Sequence, residues 1–163
     1  MTLVRDFADL NALAINHGTH CLSVAGGNDP EVLKAIVTAL SNGLVARVIV
    51  TGRADGIKAG LPANLLDKVE IIDATDATEC AIRAVKAVRE GSAGILMKGH
   101  VDSRSYLRAI VNRETGIRAG DVLSNITVAE MPSYLKFLAA TDNGIIPLPT
   151  LETCLASQIL KIF

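Results

Sequence analysis

The chain has 163 residues, half of them apolar, and its 16 Lys and Arg nearly balance 17 Asp and Glu to leave a net charge of −1. This length is enough to bury one well-packed core, and with 3% aromatic residues and no Trp that core must consist mainly of Ala, Val, Ile and Leu. The balanced charge, without a basic block or aromatic side chains to stack on bases, argues against nucleic-acid binding.

The cysteines and the first ten residues indicate the compartment. Cys21, Cys80 and Cys154 are odd in number and have no paired spacing, so we expect reduced thiols, with neither a disulfide framework nor a metal site. The first ten residues include three charged ones where a signal peptide would be apolar, and no apolar run reaches membrane-spanning length. We therefore expect a cytoplasmic protein without a membrane segment.

Helices and strands alternate over the first two thirds of the chain. Asp29 and Pro30 fit the N-cap and first position of a helix that follows Gly26-Gly27, which favours an ordinary capped helix over a nucleotide loop. The apolar spacing predicts helices over 7–15, 30–41 and 77–89, and strands over 21–25, 46–51, 69–72 and 94–97. This βαβα succession predicts an α/β fold: a doubly wound, open, mainly parallel sheet in a three-layer α/β/α arrangement.

The pattern changes after Arg108. A helix ends near Asn112, a Gly-containing polar loop follows at 114–121, and strands at 124–129 and 134–140 form a predicted antiparallel pair. A turn at 141–144 and a final helix from about Thr150 complete the chain. We therefore expect an α/β/α domain over residues 1–122. Residues 123–163 would begin a second, smaller subdomain or form a dimerisation segment.

The stretch from Ile95 to Ser103 joins a buried strand to a polar, basic loop. Lys98 and Gly99 form a turn before a helix that opens at Asp102 or Ser103. Backbone N–H groups at a helix start carry partial positive charge, to which Lys98 and Arg108 could add full charges. The sequence therefore predicts a phosphate site here.

Several other polar residues have two interpretations. Arg53 follows the second strand at the edge where open α/β sheets bind ligands, and it is equally well a phosphate contact or a surface charge. Arg118, in a loop flanked by glycines, is similarly undecided. Asp142 starts an Asn-Gly turn and is favoured as a turn former over a functional acid. His100 is favoured as a loop histidine over a general base, since no nucleophile has a histidine and an acid arranged around it by any known signature.

The run from Leu96 to Ser103, followed by Tyr106-Leu107-Arg108 and Gly116-Ile117-Arg118-Ala119-Gly120, closely resembles the phosphate acetyltransferase and phosphate butyryltransferase family. The resemblance is strongest to the butyryltransferase branch and covers the amino-terminal half of the family's length. Further matches span nearly the whole chain: Val24-Ala25-Gly26, Thr51-Gly52-Arg53, Ile71-Ile72-Asp73, Leu123-Ser124-Asn125 and Thr141-Asp142.

The resemblance implies an enzyme that moves a butyryl, acetyl or other short acyl group between coenzyme A and inorganic phosphate. The products are an acyl phosphate and free coenzyme A, and no metal or bound cofactor takes part. By their positions, Ser103 and Arg108 are similar to the family's substrate-lining hydroxyl and arginine, with Lys98 and the Gly99 backbone nearby. The acidic residue that assists the thiol in the family belongs to its second half, so no catalytic residue is assigned here.

Two hypotheses for function follow. In the first, the chain is a phosphate acyltransferase, or the part of one whose cleft is completed by a longer chain or a partner. In the second, it is a non-catalytic domain that binds phosphate or coenzyme A, or a truncated relative that acts through association. In both cases the partners are small molecules. An apolar face on residues 124–140 would promote self-association, so we expect a homo-oligomer.

Overall fold

The computed structural model of the chain describes residues 4–17, 20–120, 123, 125–141 and 150–151. It consists of two compact units, one formed by Ala14–Arg118 and the other by Met1–Leu13 together with Ala119–Phe163. The domain boundary expected at residue 122 stays a prediction for the whole protein. Asp142, the rest of the predicted turn after residue 141, Cys154 and nearly all of the predicted final helix lie outside the described residues.

The predicted helices and strands that fall within the described residues are confirmed, with bounds that differ by no more than a few residues. In chain order the described elements are helix α1 (Phe7–Asn16), strand β1 (Cys21–Ala25), α2 (Pro30–Ser41), β2 (Arg47–Gly52), α3 (Ala54–Gly60), a 3₁₀ helix (Ala63–Lys68), β3 (Val69–Asp73), α4 (Ala77–Arg89), β4 (Ile95–Lys98), α5 (Ser103–Val111), β5 (Ile126–Met131) and β6 (Tyr134–Thr141). Helix α3 and the 3₁₀ helix were not predicted, because seven and six residues are too few for an apolar period to stand out.

Strands β1 to β4 form one parallel sheet in the order β3-β2-β1-β4. The chain moves outward from β1 through β2 to β3, and α4 then carries it back across the sheet to β4 on the other side of β1. Ala25 at the end of β1 therefore lies between Thr51 of β2 and Lys98 of β4. This reversal makes the carboxyl ends of β1 and β4 the switch point at which such sheets bind ligands.

Helices cover both faces of this sheet, which confirms the predicted α/β/α layering. Val24 and Val50 pack on one face with residues of α2 and α3 such as Ile36 and Ile57. On the other face small side chains of α4, among them Ala84, pack against the sheet in a separate cluster. The alternation along β1 and β2 thus buries both faces, as expected for a parallel sheet.

Two polar side chains in the sheet are fully buried and hydrogen-bonded. The Ser23 hydroxyl donates to the Ala84 carbonyl at 2.8 Å, which ties β1 to α4. The Thr51 hydroxyl oxygen lies 3.0 Å from the Cys80 carbonyl and accepts the Gly26 N–H at 3.2 Å. Because each has a partner, neither carries the cost of an unsatisfied buried group, and both position the backbone near the switch point.

The second unit contains the predicted antiparallel pair. Strands β5 and β6 pair in antiparallel orientation, and their register shifts between Ala129 and Met131. The Phe7 N–H donates to Glu130 Oε2 at 2.8 Å, and the Phe7 ring lies 5.1 Å from that of Phe137, centre to centre. Apolar side chains on the two strands remain 37–50% exposed, namely Ile126, Val128, Met131, Tyr134 and Leu138.

Candidate functional site

At the switch point, backbone hydrogen bonds join the turn that follows β4 to the turn that follows β1. The Gly99 N–H donates to the Ala25 carbonyl at 2.9 Å, and the His100 N–H donates to the Gly26 carbonyl at 2.7 Å. Gly26 has φ +83°, which favours glycine. A Cβ on Gly99 would lie 2.8 Å from the Ala25 carbonyl oxygen and closer still to that of Gly26. The backbone here is therefore too tightly packed to admit a side chain.

Helix α5 begins at Ser103, as predicted, with Asp102 as its N-cap. One Asp102 carboxylate oxygen accepts the Ser105 N–H at 2.8 Å, and this hydrogen bond lowers the pKa of Asp102. The helix start therefore already has a carboxylate at the position where the sequence predicts a bound phosphate. Lys98 is exposed at the end of β4, beside this turn.

The Asp102 cap predicts a pH dependence of stability. Because the folded-state pKa is lowered, the cap stabilises the fold at pH values above the ordinary aspartate pKa, and this contribution is lost as the pH falls through the lowered value. Asp102→Asn keeps a good capping residue without the charge. We expect the difference in urea midpoint between the two proteins to shrink between about pH 6 and about pH 3. A difference independent of pH would contradict this assignment.

A cleft of about 640 Å³ lies between helices α4 and α5, and we call it the α4/α5 cleft. Its lining residues are Thr78, Ile82, Arg104, Ser105, Arg108, Ala109, Asn112 and Thr115. Arg104 and Arg108 are one turn apart and so share a face of α5. The Thr78 and Ser105 hydroxyl oxygens approach to 3.4 Å across the cleft.

The charge of this cleft is positive. None of its described lining residues is Asp or Glu, and within the part of the chain that the structure describes no salt bridge joins Arg104 or Arg108 to a carboxylate. Two guanidinium groups on one helix face repel each other, and an anion between them relieves this repulsion. Guanidinium groups also match phosphate oxygens in geometry, and hydroxyls can add further hydrogen bonds.

Packing between α4 and α5 fixes the orientation of the cleft. Ala109 of α5 is buried against Ala81 and Val85 of α4, and these small side chains allow the two helices to approach closely. Tyr106 is partly buried in a neighbouring cluster, and its burial raises the pKa of its phenol. Ala109 and Tyr106 pack into these clusters, whereas Arg108 lies on the part of α5 that lines the α4/α5 cleft.

The structure separates the predicted site residues. Arg108 lines the α4/α5 cleft, whereas Lys98, Gly99 and Ser103 do not. Ser103 precedes Arg108 by five residues, which corresponds to roughly 140° around the helix. Arg118 is exposed in the loop after α5.

Arg53 lies in a second cavity of about 490 Å³, which Asn28, Asp55 and Asp73 also line. Asn28 holds the Arg53 backbone from both sides, accepting its N–H at 2.8 Å and donating to its carbonyl at 3.0 Å. Asp73 accepts the Ala54 N–H at 2.9 Å. These polar groups thus serve the local backbone, and their mixed charges make this cavity a weaker anion site than the α4/α5 cleft.

Of the eight residues that line the cleft, only Arg108 was predicted from the sequence; the other seven, among them Arg104, Ser105 and Thr78, were missed. The spacing of Arg104 and Arg108 was visible in the sequence as a pair of like charges on one helix face. Ser105 follows from the same helix once its start is fixed at Ser103. Thr78 lies 27 positions before Ser105, and only the packing of α4 against α5 brings it to the cleft.

Two kinds of feature are absent from the described residues. No helix in that part of the chain is long and apolar enough to cross a membrane. No group of three or more His, Cys, Asp or Glu that could hold a metal ion is found there either.

No family model matches the chain, but individual proteins do. It is 33% identical over 144 residues to a probable phosphate butyryltransferase of Bacillus subtilis, covering 88% of this chain and 48% of that protein. It is 28% identical to a phosphate acetyltransferase of Thermotoga maritima, over 80% of this chain and 45% of that protein. The crystal structure of a branched-chain phosphotransacylase from Enterococcus faecalis has the same fold, with a TM-score of 0.70 at 24% identity, over 85% of this chain and 48% of that one. The chain is therefore a relative of the phosphate butyryltransferases and phosphate acetyltransferases, and it spans a little under half the length of the curated relatives it matches.

Proposed function

We propose that this chain supplies the phosphate-binding part of an acyltransferase that moves a short acyl group, butyryl or acetyl, between coenzyme A and inorganic phosphate. The observation that carries the proposal is the pair Arg104 and Arg108 in a cleft whose described lining includes hydroxyls and no carboxylate. The names of the relatives support it, because phosphate is the substrate that all of them share. Neither a bound cofactor nor a metal is part of this proposal.

The α4/α5 cleft suits the demands of this chemistry. Arg108 and Arg104 would donate hydrogen bonds to phosphate oxygens, and Ser105 and Thr78 would fix its orientation. An oxygen of hydrogen phosphate attacks the thioester carbonyl, an O–C bond forms, the C–S bond breaks, and the proton lost by the phosphate passes to the leaving sulfur, so that coenzyme A leaves as the thiol. Holding phosphate in place and stabilising the tetrahedral oxyanion with positive charge are the two effects that lower such a barrier.

The turn between β4 and α5, with Lys98, Gly99 and Ser103, is the alternative phosphate site, predicted from the sequence. A pair of variants separates the two regions. Ser105→Ala should weaken phosphate binding by at least about tenfold, since a hydrogen bond to a charged group contributes about 1.5 to 3 kcal/mol. Ser103→Ala should leave it nearly unchanged. Phosphate titration by calorimetry measures both, and the opposite order would move the site to the turn.

We also propose a cytoplasmic homo-oligomer. The exposed apolar side chains on β5 and β6 support association, because such patches usually mark a contact surface. Light scattering at increasing protein concentration should give a mass at least twice that of one chain. A monomer at high concentration would contradict it.

The second candidate is a non-catalytic domain that binds phosphate or coenzyme A. The observation that favours it is that the described lining of the α4/α5 cleft has cationic and hydroxyl groups that can bind an anion, and no Asp or Glu that could exchange a proton with the thiol. A domain of this kind would keep the α4/α5 cleft and lack turnover.

Phosphate-dependent release of thiol from butyryl-CoA and acetyl-CoA decides between these functions. We expect release that requires phosphate and that falls at least about tenfold in Arg108→Ala, the loss expected for one charged hydrogen bond. Arg83→Ala is the matched control, because Arg83 pairs with Glu79 at 2.7 Å and does not line the cleft. Phosphate binding without release by the folded chain would establish the non-catalytic domain instead.

A further inference from the structure

The α4/α5 cleft has an apolar wall that phosphate alone does not need. Ile82 lines it and is 47% exposed, whereas its apolar neighbours on α4, such as Ala81 and Val85, are almost completely buried. Ile82 therefore contributes little to the core. Its side chain faces the same groove as the two arginines of α5.

The polar and apolar parts of the cleft are separated along α4. Thr78, beside the Ser105 hydroxyl, marks the polar end. Ile82 follows one turn later, and four residues of helix advance about 6 Å. That distance is roughly the span from the phosphorus atom to the terminal carbon of an extended butyryl phosphate. A ligand with a phosphate at one end and a short aliphatic chain at the other would match both ends.

We infer that Ile82 contacts the acyl chain of an acyl phosphate held in the α4/α5 cleft, and that it sets the preference for chain length. The inference rests on the proposed function, since it takes the product of that reaction as the ligand. Arg104, Arg108 and Ser105 hold the phosphate, and Ile82 with Ala109 provides apolar contact for the chain. Apolar contact of this kind discriminates between acyl chains by their number of methylenes.

Alkylphosphonates test this inference without any turnover, because they are stable mimics of an acyl phosphate. Calorimetry would compare methylphosphonate, butylphosphonate and inorganic phosphate on the whole chain. A buried methylene contributes roughly fourfold in affinity, so three methylenes against a half-exposed wall should make butylphosphonate bind at least about fivefold tighter than methylphosphonate. Ile82→Ala should reduce this preference to less than about twofold and leave the affinity for inorganic phosphate unchanged.

Leu107→Ala is the matched control, because Leu107 is an exposed apolar residue of α5 that does not line the cleft. It should keep the full preference for butylphosphonate. The inference is overturned if the unmodified chain shows no preference, if Ile82→Ala retains it, or if neither phosphonate binds. A preference that depends on Ile82 in a chain that releases no thiol would leave the inference standing and remove only the proposed catalysis.

Discussion

Replacing Gly99 with alanine is expected to lower the free energy of unfolding by at least about 3 kcal/mol, which is a large part of the stability of a domain of this size. The new Cβ would meet two backbone carbonyl oxygens, that of Ala25 at 2.8 Å and that of Gly26 at a shorter distance. Backbone at the end of a parallel strand cannot move aside without breaking the hydrogen bonds from Gly99 and His100 to β1. Urea unfolding followed by circular dichroism measures the loss.

Gly94→Ala is the control for this substitution. Gly94 lies immediately before β4, and a Cβ there would approach only His20 Nδ1, at 3.9 Å. The control should unfold within about 1 kcal/mol of the unmodified chain. Equal midpoints for the two variants would show that β1 and β4 are not packed as described.

Replacing Arg108 with alanine is expected to weaken phosphate binding roughly tenfold to a hundredfold. The variant removes a charged hydrogen-bond donor, worth about 1.5 to 3 kcal/mol, and among the described lining residues of the cleft Arg104 would remain as the only cation. Arg108→Lys keeps the charge but not the planar pair of donors, so its affinity for phosphate should lie between those of the unmodified chain and Arg108→Ala. Calorimetric titration with inorganic phosphate gives the dissociation constants of the three proteins.

The stability of Arg108→Ala distinguishes a loss of phosphate binding from a folding defect. Arg108 is exposed and has no salt bridge among the described residues, so Arg108→Ala should unfold at nearly the same urea concentration as the unmodified chain. Arg83→Ala, which breaks the pair with Glu79 on the neighbouring helix, should keep full phosphate affinity. An Arg108→Ala protein with unchanged affinity would exclude the α4/α5 cleft as the phosphate site.

Much of the fold could be predicted because local patterns decide it. Asp29 and Pro30 mark the start of α2 through capping chemistry that acts within one helical turn, and the structure shows Asp29 accepting two N–H groups there. Strands β1 and β2 are mostly apolar and buried, apart from the exposed Arg47 and the buried polar residues Ser23 and Thr51, as expected when both faces of a parallel sheet are covered. Helix α3 was missed because its seven residues include only one buried apolar side chain, Ile57.

The candidate site could be predicted only in part, because it depends on contacts between distant segments. Arg108 was identified from the motif after β4, and the structure places it in the α4/α5 cleft; its role as a phosphate contact stays a prediction. The sequence placed phosphate at the helix start, but Asp102 caps that end with its own carboxylate. Thr78 and Ile82 belong to α4, and no local pattern could show that they face the arginines of α5.

The most direct test of the account is a phosphate titration of the whole chain followed residue by residue through the amide signals in NMR spectra. We expect the largest shifts at Thr78, Asn112 and Thr115, around the α4/α5 cleft, and in Arg108→Ala the same shifts should require roughly tenfold to a hundredfold more phosphate. Shifts centred on Lys98 and Gly99, or no saturable shifts at all, would contradict it.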